Sequence, residues 1–358
     1  MHMADALISP AVGGVMWVAS AGLAIYSVKK LKEEANEKKA PLMGVLGAFV
    51  FAAQMINFTI PATGSSGHLG GGMILAILLG PYAAFLTLFS VLTIQSLFFA
   101  DGGLLALGCN VFNMGFWPCF LAYPLIFRGI VGNQPTQSRL AVGTTLAGII
   151  GLQIGAFSVV LETLASGISE LPFGTFVLLM QPIHLGIGIV EGLVTTALVA
   201  FVWNARPEIL EMAAPTNSAQ NGSLRPVLTG LVIATIITGG ALSWFASSHP
   251  DGLEWSMFKT SGKEELDAPK DGVHAFCATF QEKTAFLPDY DFKNPEEPNE
   301  HAVATVKAQT AEPEETAAEQ WPAVSAGTSL SGLLGGMFVL LLAGLIGLVL
   351  RKTQSSQC

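Results

Sequence analysis

Long apolar runs separated by short polar stretches constrain this chain more than any other feature. A helix needs about 20 largely apolar residues to cross the roughly 30 Å hydrocarbon core of a membrane. Such runs lie at 6–28, 41–60, 82–100, 104–127, 140–166, 175–204, 226–247 and 328–350. A shorter run, Leu69–Leu79, predicts a tilted short helix or a re-entrant segment buried in protein. The pattern therefore predicts an all-α integral membrane protein.

The charged residues support this prediction because they are too few to cover a water-soluble surface. Only 12% of the 358 residues are charged, against roughly 25% in soluble globular chains. The formal net charge of −9 excludes a nucleic-acid binder, which needs a basic surface. The four cysteines include no C-x-x-C pair and do not resemble a disulfide framework.

Basic residues predict the direction of the spans, because loops rich in lysine and arginine stay in the cytoplasm. Five lysines crowd the loop after the first run: Lys29, Lys30, Lys32, Lys38 and Lys39. If the short run also crosses, no short outer loop carries a basic residue. We therefore predict about nine crossings, with the N-terminus outside and the C-terminus inside. Lysines follow the first run and do not precede it, so we expect Met1 to be retained.

The acidic residues concentrate in one segment, 248–325, which is outside in the predicted topology. It holds 16 of the 26 acidic residues and 6 of the 17 basic ones. Its part up to about Phe292 has enough aromatic residues for a small packed element. From Asn294 to Ala326 the composition predicts a flexible acidic linker, which cannot bury enough apolar area to offset the entropy of ordering.

The first two residues carry metal-binding chemistry. The Met1 α-amino group, the deprotonated His2 amide and His2 Nδ1 can chelate one ion through fused rings. A fourth nitrogen would complete a plane that suits Ni(II) or Cu(II) better than zinc or calcium. His68 is the candidate, because its turn-rich loop is on the same predicted side. An exposed terminal histidine and an ordinary loop histidine are the alternatives that these residues leave open.

Several polar residues are candidates for orienting these ligands through hydrogen bonds. They are Asp5, Ser65, Ser66, Asn110, Asn113, His184 and Glu191. His184 and Glu191 share one helix face at bilayer depth, where a gating role and a polar stripe that packs helices both fit. For Asn110 and Asn113 we favour packing. Asp101 and Glu162 lie near span ends, where we expect solvated carboxylates without a special role.

Four stretches resemble the CbiM/NikM family, the substrate-capture membrane components of energy-coupling factor (ECF) cobalt and nickel importers. They are Met1–Pro10, the Pro61–Gly72 loop, Cys109–Gly115 and His184–Gly192. The resemblance covers about residues 1–204 and implies that Met1, His2 and His68 are the metal ligands. Residues 3–6, Met-Ala-Asp-Ala, differ from the commoner Ile-Pro-Asp-Gly-type run, which leaves cobalt versus nickel open.

The remainder resembles the CbiN/NikN-type, PDGL-containing partner component, through Pro250–Glu254. We therefore predict a natural fusion. A seven-helix body, 1–204, is followed by a cytoplasmic linker, 205–225. A two-helix appended unit, 226–350, contains the outer loop 248–325 and precedes a cytoplasmic tail, 351–358.

The resemblance implies a component that captures Co²⁺ or Ni²⁺ outside and passes it inward in the plasma membrane of a prokaryote. Its partners would be an ECF transmembrane coupling subunit and ATPase subunits, and it would need no cofactor. The sequence has no G-x-x-x-x-G-K-[ST] and no H-E-x-x-H motif, so we expect no enzyme activity. One alternative is a membrane anchor that presents 248–325 as an acidic protein-interaction module without transport. A metal-dependent membrane enzyme is disfavoured because the sequence shows no set of zinc ligands accompanied by a catalytic base.

Overall fold

The computed structural model describes residues 2–34, 39–132, 135–206, 209–210, 224–263, 266–292 and 321–355. Its helices are α1 Pro10–Glu34, α2 Lys39–Gln54, α3 Gly72–Leu79, α4 Pro81–Phe99, α5 Leu107–Val131, α6 Gln137–Ser166, α7 Phe173–Ala205, α8 Arg225–Gly240, α9 Gly252–Ser261, α10 Gly272–Thr284 and α11 Ala326–Ser355. A two-stranded antiparallel sheet pairs β1, Phe58–Ile60, with β2, Ser65–Gly67. Short 3₁₀ turns lie at Asp5–Leu7, Leu242–Phe245 and Pro288–Tyr290.

The helices confirm the predicted class of all-α membrane protein. Within the described residues, six helices are long and apolar enough to cross a membrane: α1, α4, α5, α6, α7 and α11. Helices α2 and α8 are apolar but shorter. Large apolar side chains on α7, such as Leu178 and Leu193, face outward, as a lipid-facing surface requires. Nine crossings, and their direction, stay a prediction.

The short apolar run forms α3, and all eight of its residues are buried. A helix of that length is only about 12 Å long at 1.5 Å per residue, too short to cross a bilayer alone. It approaches α5 so closely that a Cβ on Gly72 would lie 2.5 Å from the Pro118 ring. Just after the C-terminal end of α3, Tyr82 of α4 packs on Tyr26 of α1, with ring centroids 5.7 Å apart. The segment after His68 is therefore buried in protein.

Three predicted helix boundaries are wrong. Helix α1 begins at Pro10, because proline fits the first helical turn but cannot donate a hydrogen bond farther in. The second run ends as helix at Gln54, and its tail forms β1, where Thr59 and Ile60 are β-branched. Helix α8 ends at Gly240 and is followed by a 3₁₀ turn.

The appended unit packs directly against the body. Helix α11 packs along α2, with α8 beside both, while α6 packs along α7 in the body. The part of the outer loop up to Phe292 forms the predicted small packed element, in which α9 lies on α7 and α10 on α4. The predicted linker from Asn294 lies outside the described residues. This packing places the outer loop over the end of the body that carries His2 and His68.

Candidate metal centre

Residues 2–8 precede α1 and include four buried residues, Met3, Ala6, Leu7 and Ile8, and Asn110 of α5 holds their backbone. Asn110 Oδ1 accepts a hydrogen bond from the Met3 N–H at 2.8 Å, and its Nδ2 donates to the Met3 carbonyl at 3.2 Å. The Gly103 N–H also donates to that carbonyl, at 2.9 Å. Because Met3 is fully buried, these bonds fix the chain immediately after His2.

Two further contacts anchor the same segment. The carboxylate of Asp5 accepts a hydrogen bond from the Ala106 N–H at 2.9 Å. From the appended unit, His274 Nε2 donates to the Ile8 carbonyl at 2.9 Å. Asp5 and Asn110 therefore position the main chain that carries His2, rather than touching the imidazole itself.

The rings of His2 and His68 stack on each other. Their centroids are 4.9 Å apart and their planes differ by 11°. The His2 side chain is only 8% exposed, and His68 is buried as well. The alternative of an exposed terminal histidine is therefore wrong for His2. Met1, the third predicted ligand residue, lies outside the described residues.

The ring of His68 is held in one tautomer. Its Nδ1 lies 3.0 Å from the Leu69 carbonyl, which can only accept, so Nδ1 carries the proton and Nε2 carries the lone pair. Burial, reinforced by nearby positive charge, lowers the pKa of His68 to about 3. The ring is therefore neutral at physiological pH, which is the form that binds metals.

His2 pairs with Asp101, which sequence reasoning had assigned to solvent. His2 Nδ1 lies 2.9 Å from Asp101 Oδ1, and the other carboxylate oxygen accepts a hydrogen bond from the Tyr290 hydroxyl. Burial raises the pKa of Asp101, but the charge and hydrogen bond of His2, with the Tyr290 bond, outweigh it and lower the pKa to about 2. Tyr290 also stacks on Phe99, at 5.0 Å between centroids. The expectation of a carboxylate without a role is wrong for Asp101.

The two serines of the histidine loop connect this loop to neighbouring chain segments. Ser66 donates its N–H to the Pro250 carbonyl at 2.8 Å and its hydroxyl to the His249 carbonyl at 2.7 Å. Ser65 is buried, with its hydroxyl 2.9 Å from that of Thr63. Among the described hydrogen bonds, neither serine bonds to an imidazole. Ser66 instead attaches the appended unit to the loop that carries His68.

The Pro250–Glu254 motif forms the start of α9. Asp251 Oδ1 accepts from the N–H groups of Leu253 and Glu254 at 2.7 and 2.9 Å, while Glu254 accepts from the Asp251 N–H at 2.8 Å. This reciprocal pair is a capping box. The glycine permits close docking, because a Cβ on Gly252 would lie 2.6 Å from the Ile183 side chain and 3.2 Å from the His184 ring.

Below Met3, Asn113 donates its Nδ2–H to the Glu162 carboxylate at 2.7 Å. The same amide nitrogen lies 3.8 Å from the Met3 sulfur. Glu162 is buried, so the expectation that it is solvated is wrong. Glu162 lies one turn before the C-terminal end of α6, and its carboxylate faces Asn113 of α5.

Glu191 and His184 occupy the same face of α7, and both are almost fully buried. The Glu191 carboxylate accepts from the Gly70 N–H at 2.7 Å, close to the N-terminus of α3, where a negative charge is stabilising. His184 Nδ1 lies 2.8 Å from the Met180 carbonyl, and its Nε2 has no hydrogen-bond partner among the described residues. The contacts give Glu191 a helix-capping role.

The described residues contain no cluster of three His, Cys, Asp or Glu side chains that could hold a metal. The sequence did not indicate that Asp101, Asp251 and Tyr290 lie around the histidines, or that His274 contacts the anchored segment. One signal was present for Asp101, which is the only charged residue between Lys39 and Arg128.

A family model described as CbiM, cobalt uptake substrate-specific transmembrane region, matches residues 2–209. The chain belongs to the CbiM family. A second model, the PDGLE domain, matches residues 225–352, so the CbiM-type body is fused to a CbiN-like segment. Membership of this family confirms that the chain is a multi-pass membrane protein. The relatives described below are prokaryotic.

Relatives and solved structures agree with this assignment. A putative fused nickel transport protein NikMN of Archaeoglobus fulgidus is 36% identical over 217 residues, which are 60% of this chain and 69% of the relative. The cobalt transport protein CbiM of Geobacter sulfurreducens is 31% identical over 283 residues, 76% of this chain and 80% of the relative. A crystal structure of a transition metal transporter matches with a TM-score of 0.52 at 27% identity, over 61% of this chain and all of the other.

Proposed function

We propose that this protein captures Co²⁺ or Ni²⁺ at an outward-facing site formed by Met1, His2 and His68, and passes the ion inward. The observation that carries the proposal is the buried stack of His2 on His68 beside an immobilised N-terminal segment. The names of the relatives as nickel and cobalt transport proteins support the choice of ion.

The proposed ligands are four nitrogens: the Met1 amine, the His2 amide, His2 Nδ1 and His68 Nε2. His68 is already in the required tautomer, with its lone pair on Nε2. His2 Nδ1 faces Asp101, so chelation requires the His2 ring to turn about its Cβ–Cγ bond and break that contact. Asp101 therefore competes with the metal for one ligand atom, which gives the site a means of release.

The second part of the proposal is that the chain is the substrate-specific component of an ATP-driven ECF importer. A separate coupling subunit and ATPase subunits supply the energy, since the sequence has no phosphate-binding loop of its own. The predicted direction, with the capture site outside, follows from the lysines after α1. The rival function of an anchor for a free interaction module is disfavoured, because α9 and α10 pack on the body.

Calorimetry with Ni²⁺ and Co²⁺ tests the site on protein purified with its native terminus and a histidine-free C-terminal tag. We expect one Ni²⁺ or Co²⁺ ion to bind tightly to each protein molecule. This binding should be lost when one glycine precedes Met1 and when His68 is changed to Ala. The matched control is His249→Ala, which removes an exposed histidine of the outer loop and should bind like the native protein. Equal affinity in all four proteins would refute the site.

Uptake tests the transport claim. In cells that carry the coupling and ATPase subunits of an ECF nickel importer, radioactive Ni²⁺ should accumulate with the native chain and remain at background with His68→Ala. Accumulation that is independent of the ATPase subunits would contradict the ECF assignment while leaving the capture site intact.

A further inference from the structure

A small cavity adjoins the proposed capture site and is not explained by it. It lies between His68, His184 and Asp251, with Met114, Leu152 and Ile187 completing its wall. The body supplies most of this lining, and the appended unit supplies Asp251 and the adjoining Gly252. The cavity therefore exists only where the two units meet.

His184 presents a metal-binding atom to this cavity. Its Nδ1 lies 2.8 Å from the Met180 carbonyl, which can only accept, so the proton is on Nδ1 and the lone pair is on Nε2. That Nε2 is buried and has no hydrogen-bond partner in the described part of the chain. A buried polar atom without a partner costs free energy, and a bound ion would remove that cost.

The position of His184 orders the two sites along α7. Gly67 lies against Ile187 and Gly70 against Glu191, so the histidine loop follows α7 towards α3. His184 is one helical turn before Ile187, on the side where α9 packs on α7. His184 therefore lies nearer the start of α7 than the contacts of the histidine loop with Ile187 and Glu191.

We propose that this cavity is a receiving site, at which Ni²⁺ or Co²⁺ binds His184 Nε2 before it moves to the capture site. Met114 lines the same cavity, and imidazole with thioether suits late transition metals better than magnesium or calcium. Asp251 places a carboxylate at the same wall. The inference rests on the proposed function, since it needs a capture site to receive the ion.

Stopped-flow fluorescence on the full chain tests the receiving site, with quenching of the intrinsic tryptophans by Ni²⁺ as the signal. In His184→Ala we expect association to slow about tenfold, within the range over which variants of one binding surface change rate. Dissociation should slow by the same factor. The Kd of the capture site should stay unchanged, because affinity depends only on the free and final states.

Two further variants keep the test decisive. His184→Gln retains a hydrogen-bonding side chain at the same place and should match His184→Ala in rate, while His249→Ala should match the native protein. Melting temperatures show which variants are folded. If both His184 variants associate at the native rate, the receiving site is refuted. If their association slows while dissociation does not, so that Kd rises, His184 only supports the fold and the proposal is also refuted.

Failure of the receiving site can be distinguished from failure of the capture site. Should the protein with one glycine before Met1 bind Ni²⁺ as tightly as the native protein, the proposed function fails. Loss of binding in that protein, together with unchanged kinetics in the His184 variants, would remove the receiving site alone.

Discussion

The body and the appended unit meet at the same site but contribute to it differently. The body supplies both stacked histidines and Asn110, which hydrogen-bonds to the main chain beside His2. The appended unit supplies His274, Tyr290 and the start of α9, and these contact the anchored segment, Asp101 and the His68 loop. If the proposed function holds, we expect the body to determine whether metal binds and the appended unit to adjust access and release.

Of the three variants that test this comparison, Asn110→Ala in the body is expected to have the largest effect. Two buried hydrogen bonds to Met3 are lost, so the chain that carries His2 is free to shift. We predict that Ni²⁺ affinity falls about 30-fold, because residues that orient metal ligands typically contribute 10–100-fold. Calorimetry measures the change, with Asn113→Ala one turn further along α5 as the control. A loss in the control as large as in Asn110→Ala would show that α5 packing, not the grip on Met3, matters.

A smaller effect is expected for Gly252→Ala at the boundary between the units. The added methyl group would overlap Ile183, and overpacking of this kind costs about 1–3 kcal/mol. We predict a lower melting temperature and roughly fivefold weaker Ni²⁺ binding, because α9 is displaced while both histidines remain. Adding Ile183→Ala makes room for the methyl group, so the double variant should recover part of the loss. Strictly additive losses would contradict the contact.

The smallest effect is expected for Tyr290→Phe in the appended unit. Without the tyrosine hydroxyl, the Asp101 carboxylate binds His2 Nδ1 more strongly and competes better with the metal. We predict about threefold weaker Ni²⁺ binding, the equivalent of one ordinary hydrogen bond, with the fold unchanged by circular dichroism. Tighter binding in this variant would mean that Asp101 assists chelation and does not oppose it.

The fold class followed from the sequence because the apolar runs match the thickness of a bilayer. Boundaries were less predictable, because Pro10 starts a helix within one run of uniform hydropathy and the β-branched Thr59 and Ile60 form a strand at the end of another. Of the site, His2 and His68 were identified from ligand chemistry. Their neighbours Asp101 and Tyr290 are 189 residues apart, and only the packing of α10 and the following turn on α4 brings them together.

The hydrogen bonds between Asn110 and Met3 affect the order in which the protein folds during synthesis. Residues 2–8 are synthesised before their partners, since Asn110 follows Met3 by 107 residues and His274 follows Ile8 by 266 residues. Residues 2–8 therefore cannot reach their final position until most of the membrane domain has been inserted. Assembly of the site becomes a late event in biogenesis, and a chain interrupted before α10 would expose an unfinished site.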